Sequence, residues 1–322
     1  MGRRDRLERH PRIAALHDGA YRLAPGPLAV AELGTQVLRA ELASRRPPWR
    51  GVPRSFRPRV RRTSDTLFVL GSGETINDHP AEHWDRVGRH DSVGLNFWLL
   101  HQFVASAYLF EWVGREATPE VAARLAVRQE LLRLRAHDIG DRPVMFRTPA
   151  WRAVGDRRLR PADIEEQLGQ AGMNLVVTSD LDFPELDADG FRRATALLRR
   201  LHALSPSRSW KYLASTRGSV LWAVIFGVRM GYRSIVLCGV DLTGVTYFFE
   251  DPGAPLRVPG APLPTNTQPG TIHKTADPAR PGATMPQLLE AVRDEVLDPI
   301  GVSLQVGHPD SALARSFDLY DW

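Results

Sequence analysis

Three groups of residues in this chain have types and spacings that could do chemistry. The first is Gly71-Ser72-Gly73-Glu74-Thr75-Ile76-Asn77, directly after the apolar run 67–70. Two glycines at the end of a buried strand let the backbone turn tightly and approach a ligand, and free N–H groups at such a turn suit a phosphate. The same spacing occurs in methyltransferases, dehydrogenases and plain α/β turns, so a nucleotide site and a simple turn both stay open. The second group is Thr271-Ile272-His273-Lys274-Thr275-Ala276-Asp277. An imidazole with an ordinary pKa of about 6.5 can take a proton from an alcohol at neutral pH, as acyl and glycosyl transfer require. His273 lies in a polar loop, so it reads as a base or as an idle loop histidine rather than as a core residue.

The third group follows the apolar run 235–238. Asp241 stands just beyond it and could orient a sugar hydroxyl or cap the next element. Tyr247, before Phe248 and Phe249, could donate a phenol to a phosphate or pack a hinge. Two acidic triplets, Asp180-Leu181-Asp182 and Asp187-Ala188-Asp189, could hold a metal ion beside a diphosphate or form an ordinary acidic loop. His83, His90, His101, His202 and His308 share no ligand-like spacing, and with one cysteine a zinc site is not expected. Neither a Gly-x-Ser-x-Gly nucleophile motif nor a Gly-Lys-Ser/Thr phosphate loop is present.

Apolar runs at 67–70, 92–95, 107–111, 143–146, 174–178, 234–238 and 302–306 read as buried strands. Helical patterns cover 118–136, 163–170, 190–204, 218–230 and 287–296, the first opened by Thr118 as N-cap and Pro119 in the first turn. This alternation predicts a mostly parallel, doubly wound α/β sheet, in which ligands bind beyond the carboxyl ends of the strands. The Pro- and Gly-rich stretch 251–286 interrupts the pattern and reads as a lid or insertion. Residues 1–45 predict one or two helices, and the Pro- and Arg-rich segment 45–54 a linker. The expected division is therefore a helical N-terminal extension over 1–62 and an α/β domain over 63–322, with a lid at about 243–286.

The 322 residues are 43% hydrophobic and 25% charged, as in a globular chain. The single cysteine, Cys238, favours a reducing, cytoplasmic setting; no apolar segment suggests a signal peptide or a membrane span. Residues 1–62 hold 15 Arg against 5 Asp or Glu, a surplus of ten that leaves the remainder at −5 within a net charge of +5. A basic arm of this kind suits peripheral contact with anionic lipid. Only Lys211 and Lys274 are lysines. The preference for Arg reads as genomic base composition, and a nucleic-acid partner is not expected.

The order of these segments resembles the bacterial sialyltransferases of glycosyltransferase family 42 and, more distantly, motility-accessory-type transferases. The matching features are Gly71–Thr75, the strand ending at Asn96, the small-residue turn Ser215-Thr-Arg-Gly-Ser-Val220, the segment Gly231–Asp241 with Tyr247 after it, and the histidine loop. They span residues 67–306 and are loose between 110 and 210. The resemblance implies one Rossmann-like nucleotide-binding domain with a lid, and an inverting transferase needing no metal. Gly71, Ser72, Gly73 and Thr75 would hold the donor's phosphate and ribose, with Asn96, Gly218, Ser219, Asp241 and Thr243 completing the nucleotide site. Tyr247 would steady the leaving phosphate and His273 would be the general base. The implied donor is a CMP-activated sialic acid-like sugar or Kdo, and the implied acceptor a surface glycan; no cofactor is implied, and a homo-oligomer is open.

The sequence departs from the family pattern at Glu74, in place of a proline or small residue, and at Thr243, where a second lid tyrosine is usual. The arginine near the family's sialic acid pocket has no clear equivalent, although Arg217 is close by. Another nucleotide-sugar donor, and a nucleotide- or glycan-binding protein without turnover, are the alternatives.

Overall fold

The computed structural model describes residues 20, 24–44, 62–111, 118–149, 173–206, 213–265 and 272–322. The sequence-predicted linker at 45–54 and helix at 163–170 lie outside these residues. The described strands are β1 (Thr66–Leu70), β2 (Asp91–Leu95), β3 (Ala107–Glu111), β4 (Val144–Pro149), β5 (Leu175–Asp182), β6 (Leu213–Ser215), β7 (Ser234–Cys238), β8 (Ser303–Val306) and β9 (Asp318–Leu319). They form one sheet in the order β6-β5-β4-β3-β2-β1-β7-β8-β9. Every pairing is parallel. The order reverses between β1 and β7, so the fold is an α/β sheet wound in both directions, consistent with the Rossmann-like expectation.

Strands β1, β3 and β7 are largely apolar because both of their faces are covered. Leu67 and Val69 of β1 enter one core cluster with Ile235 and Leu237 of β7. Phe68, Leu70, Val236 and Cys238, the alternate residues, enter a second cluster on the opposite face. The first face is covered by α1 (Pro25–Ser44), α4 (Ala188–Arg200), α5 (Ser219–Met230) and α6 (Met285–Val292). The second is covered in part by α2 (Ala81–Val87) and α3 (Pro119–Leu134), the latter capped by the Thr118 hydroxyl as its sequence predicts. Among the described residues no helix is long and apolar enough to cross a membrane.

The N-terminal helix is not separate from this core. Ala29 and Leu33 of α1 are buried in the first cluster, α1 packs on α4 and β5, and the Gln36 amide pairs with both the N–H and the C=O of Asp182 (2.9 and 2.8 Å). The expected boundary at 62 therefore leaves part of the core on its N-terminal side. Strands β6 and β9 have three and two residues, too few to show any period in sequence.

Where β1 and β7 end, their backbones run close together. A side chain on Gly71 would place its Cβ 2.3 Å from the Gly239 carbonyl oxygen. Gly71→Ala is expected to cost about 1–3 kcal/mol, the usual range for overpacking. It should lower the urea midpoint at unchanged m-value, with or without any nucleotide present.

Candidate functional site

At the switch between β1 and β7, the turn that sequence reasoning assigned to a phosphate is stitched to the neighbouring strand. Gly71 N–H donates to the Cys238 carbonyl (2.7 Å) and Gly73 N–H to the Gly239 carbonyl (2.8 Å). These two amides are engaged within the sheet and are not the free donors expected of a phosphate cradle. Beyond the switch, Thr75 donates its N–H to Asp241 Oδ2 (3.0 Å) and its hydroxyl to Oδ1 (2.6 Å). Asp241 is buried, and of its two sequence readings the observed geometry is capping: it holds the short 3-10 turn Glu74–Asp78 from across the switch. Burial raises the Asp241 pKa, with the two Thr75 hydrogen bonds working against the shift. Leu242 then takes a left-handed φ of 61°, and Thr243 is exposed.

Tyr247 is brought to the same place. It forms an isolated bridge with Gly73, Phe248 N–H donates to the Ser72 carbonyl, and the Asn77 amide donates to the Phe248 carbonyl (3.0 Å). The Tyr247 ring stacks on Phe249 at 5.2 Å. Gly71, Ser72, Gly73, Thr75, Asp241 and Tyr247 therefore form one compact half-site.

A second half-site lies at the carboxyl ends of β3, β4 and β5, and two of its main residues, Glu111 and Arg147, were not singled out from sequence. Asp180 is fully buried. It is met by Arg147 Nε (2.7 Å), the Trp222 indole N–H (2.8 Å) and the Thr178 hydroxyl (3.2 Å). Burial still raises its pKa well above the ordinary carboxylate range, against the pull of Arg147. Arg147 also reaches Glu111 Oε1 (3.2 Å), which accepts the Ser219 hydroxyl (2.5 Å). Burial works to raise the Glu111 pKa, but Arg147, Ser219, Lys274 and Arg128 outweigh it and hold the carboxyl below its ordinary value. Glu111 ends β3 and Arg147 directly follows the apolar run 143–146, a signal readable in the sequence because the carboxyl ends of strands face the ligand edge of a parallel sheet.

The acidic triplets do not form a metal site. Asp180 is committed to Arg147 and Trp222, and the Asp187 carboxylate caps α4 by accepting Gly190 N–H (2.7 Å). Among the described residues no group of three or more His, Cys, Asp or Glu is arranged to hold a metal ion.

The histidine loop packs onto this second half-site. Gly218, ahead of α5, lies against Thr275 and Met285, at the distance where a Cβ would just touch both. Thr275 is buried, and its carbonyl accepts the Met285 N–H that opens α6. His273 Nδ1 is 2.8 Å from the Thr275 hydroxyl and accepts the Thr275 N–H (3.4 Å). Burial, followed by Lys274 and Arg280, lowers the His273 pKa to about 4. The imidazole is therefore neutral at pH 7. Arg217, at φ 58°, donates to the carbonyls of Arg280, Pro281 and Gly282 and so ties the loop to the start of α5.

Asn96 and its neighbour join the two halves. Asn96 sits at the end of β2 with φ 51° and an exposed side chain. The adjacent Phe97 ring contacts Phe249 at 6.1 Å on one side and Arg124 at 5.3 Å on the other. Arg124 in turn is close enough to Lys274 to depress its pKa, after the effect of burial. A cavity of about 550 Å³ opens beside the histidine loop, walled by Arg217, Lys274, Arg280 and Glu185. Another, of about 410 Å³, lies at the opposite edge of the sheet near Thr63, Asp91 and Tyr232, away from all the residues above.

Comparison of the chain with protein-family models, with curated proteins and with solved structures finds no match.

Histidines held neutral make the fold sensitive to acid. The His79 and His101 pKa values are each lowered to about 3, chiefly by burial. Between about pH 6.5 and 4 the unfolded chain takes up protons that His79, His101 and His273 refuse in the folded state, so their contribution to stability falls as pH falls. Asp180 and Asp241, with raised pKa values, act in the opposite sense, so the informative quantity is a difference. His101→Asn should lose less stability than the parent between pH 6.5 and 4, measured as urea midpoints across that range.

Proposed function

We propose that this chain is an inverting glycosyltransferase that moves an acidic sugar from a CMP-sugar donor to a glycan acceptor, with His273 as general base and no metal ion required. The observation that carries the reading is a half-buried histidine beside Lys274 and Arg280, next to the start of α5 on the ligand edge of a parallel sheet. Those cations favour an anionic substrate, and a neutral imidazole can accept the acceptor's hydroxyl proton. CMP as the nucleotide, and a sialic acid-like sugar or Kdo as its cargo, follow from the sequence resemblance.

In this reading the donor spans the two half-sites. The ends of β1 and β3 are two strand spacings, about 10 Å, apart, within the length of a nucleotide sugar. Ser72, Asn96 and Thr243 would meet the nucleotide along the edge; Thr75, expected from sequence to join them, is instead buried and bonded to Asp241, and with Gly71, Gly73 and Asp241 it shapes the turn that supports them. Tyr247 would donate to the leaving phosphate, where charge develops as the glycosidic bond breaks. Gly218 and Ser219 would approach the sugar from the start of α5. The segment from about 243 to 286 acts as a lid. Its described part crosses from Gln102, whose N–H donates to the Leu256 carbonyl, to the start of α6, and its closure would exclude water from a hydrolysable donor. The charge of residues 1–62 supports peripheral contact of a cytoplasmic enzyme with an anionic membrane.

The test is a thermal-shift panel of CMP, CDP, UMP, UDP, GDP and S-adenosylhomocysteine, with and without EDTA, followed by turnover of CMP-sialic acid and CMP-Kdo. Stabilisation by CMP that survives EDTA is expected; a metal-dependent shift with UDP or GDP alone would overturn the CMP reading. His273→Ala should reduce transfer by at least about 100-fold, the lower end for a general base, with CMP binding retained. In the parent enzyme the acid limb of kcat/KM should lie nearer the His273 value of about 4 than 6.5.

A further inference from the structure

The cavity beside the histidine loop is a separate anion site, and we infer that it receives the acceptor: a sugar bearing a carboxylate or a phosphate. This inference rests on the transferase reading for the word acceptor, whereas the anion site stands on its own geometry. The volume of about 550 Å³ falls within the usual range for small-molecule sites and suits one or two sugar rings. Its walls contribute three cations, Arg217, Lys274 and Arg280, against one carboxylate, Glu185. The Arg217 guanidinium is bonded to three backbone carbonyls. All three bonds come from Nη2, and among the described residues no carboxylate forms an ion pair with this guanidinium. Among the described residues Arg280 pairs with Asp277, at 4.0 Å. The positive field is also felt next door, since Arg280 and Lys274 help to lower the His273 pKa.

The floor is apolar, from Leu186, Phe191 and Leu288, a surface against which the carbon face of a sugar ring can lie. Position gives the site its role. Lys274 and Thr275 are shared between the cavity wall and the histidine loop, and Thr275 is the residue bonded to His273 Nδ1. A sugar whose anionic group is held by Arg217 and Arg280 would therefore present its remaining hydroxyls toward the imidazole. The nucleotide, in contrast, is assigned to the edge running from β1 to Asn96, so both ligands fit at once.

Three probes of equal ring size distinguish the alternatives: galacturonate, galactose 6-phosphate and neutral galactose. Binding is read by ligand-observed NMR on the full chain, alone and with saturating CMP. Galacturonate or galactose 6-phosphate should bind, galactose should not, and the bound anion should persist with CMP present. Preference between the two anions names the acceptor's acidic group. Arg280→Glu alters an exposed side chain and should weaken anion binding by about tenfold or more, the size of one hydrogen bond to a charged group; Arg280→Lys should keep most of it. Equal binding of galactose, or undiminished anion binding in Arg280→Glu, would overturn the anion site. Displacement of the anion by CMP would overturn its assignment to the acceptor and give the cavity to the donor phosphate. Anion binding without any CMP binding would uphold the site and remove the CMP-dependent function instead.

Discussion

The buried Arg147 guanidinium is the interaction on which the ligand edge depends. Asp180 is fully inside the protein, and a carboxylate there is expensive unless it is neutralised or paired. Arg147 pairs it and extends to Glu111 on the next strand. Glu111 then accepts the Ser219 hydroxyl, which fixes where α5 begins. Gly218, one residue earlier, leaves space that a side chain would fill against Thr275, and Thr275 is bonded to His273. Four elements and the histidine loop are thus placed in series from one cation. Removing Arg147 would leave two carboxylates without their shared partner, a loss that packing elsewhere could not offset.

The switch between β1 and β7 follows a different logic. Glycines there are required because two backbones meet, and a Cβ on Gly73 would fall 2.1 Å from the Asp241 carboxylate. The N–H groups that make such turns attractive to phosphates are spent on the sheet. Ligand contact at this end therefore falls to Ser72, Thr243 and the Tyr247 phenol, whereas positive charge is concentrated some strands away. On the transferase reading, one half of the edge would supply shape and hydroxyls and the other charge and a base.

Much of the sheet was legible in the sequence because burial on both faces makes strands continuous apolar runs, and the seven runs read this way are all strands. The two remaining strands are too short to carry a period. The purpose of Gly71 was not legible, since a phosphate turn and a strand crossing ask for the same residue, and only the position of β7 separates them. Asp187 shows the same ambiguity: its carboxylate caps α4, although Asp-x-Asp also spells a metal motif. Glu111 and Arg147 each announce themselves as a charge ending an apolar run, but their pairing crosses between strands that are 36 positions apart in sequence. Local pattern reveals that an edge is charged; which charges meet is set by strand order.

The histidine poses a chemical question that the same electrostatics answers. A base with a pKa of about 4 is neutral at pH 7 yet weakly basic, and proton transfer favours a base nearer the working pH. Burial and two cations depress the His273 value, and the cationic part of that effect is cancelled when an anion settles beside Lys274 and Arg280. Anionic substrates would therefore bring basicity with them. The imidazole would remain unreactive in the empty enzyme and strengthen once the ligands that need it are in place. In that arrangement the pKa governing kcat lies above the one governing kcat/KM, because only the first refers to the occupied site. On the transferase reading, the cations around His273 would do two jobs, attracting the substrate and withholding the base until it arrives.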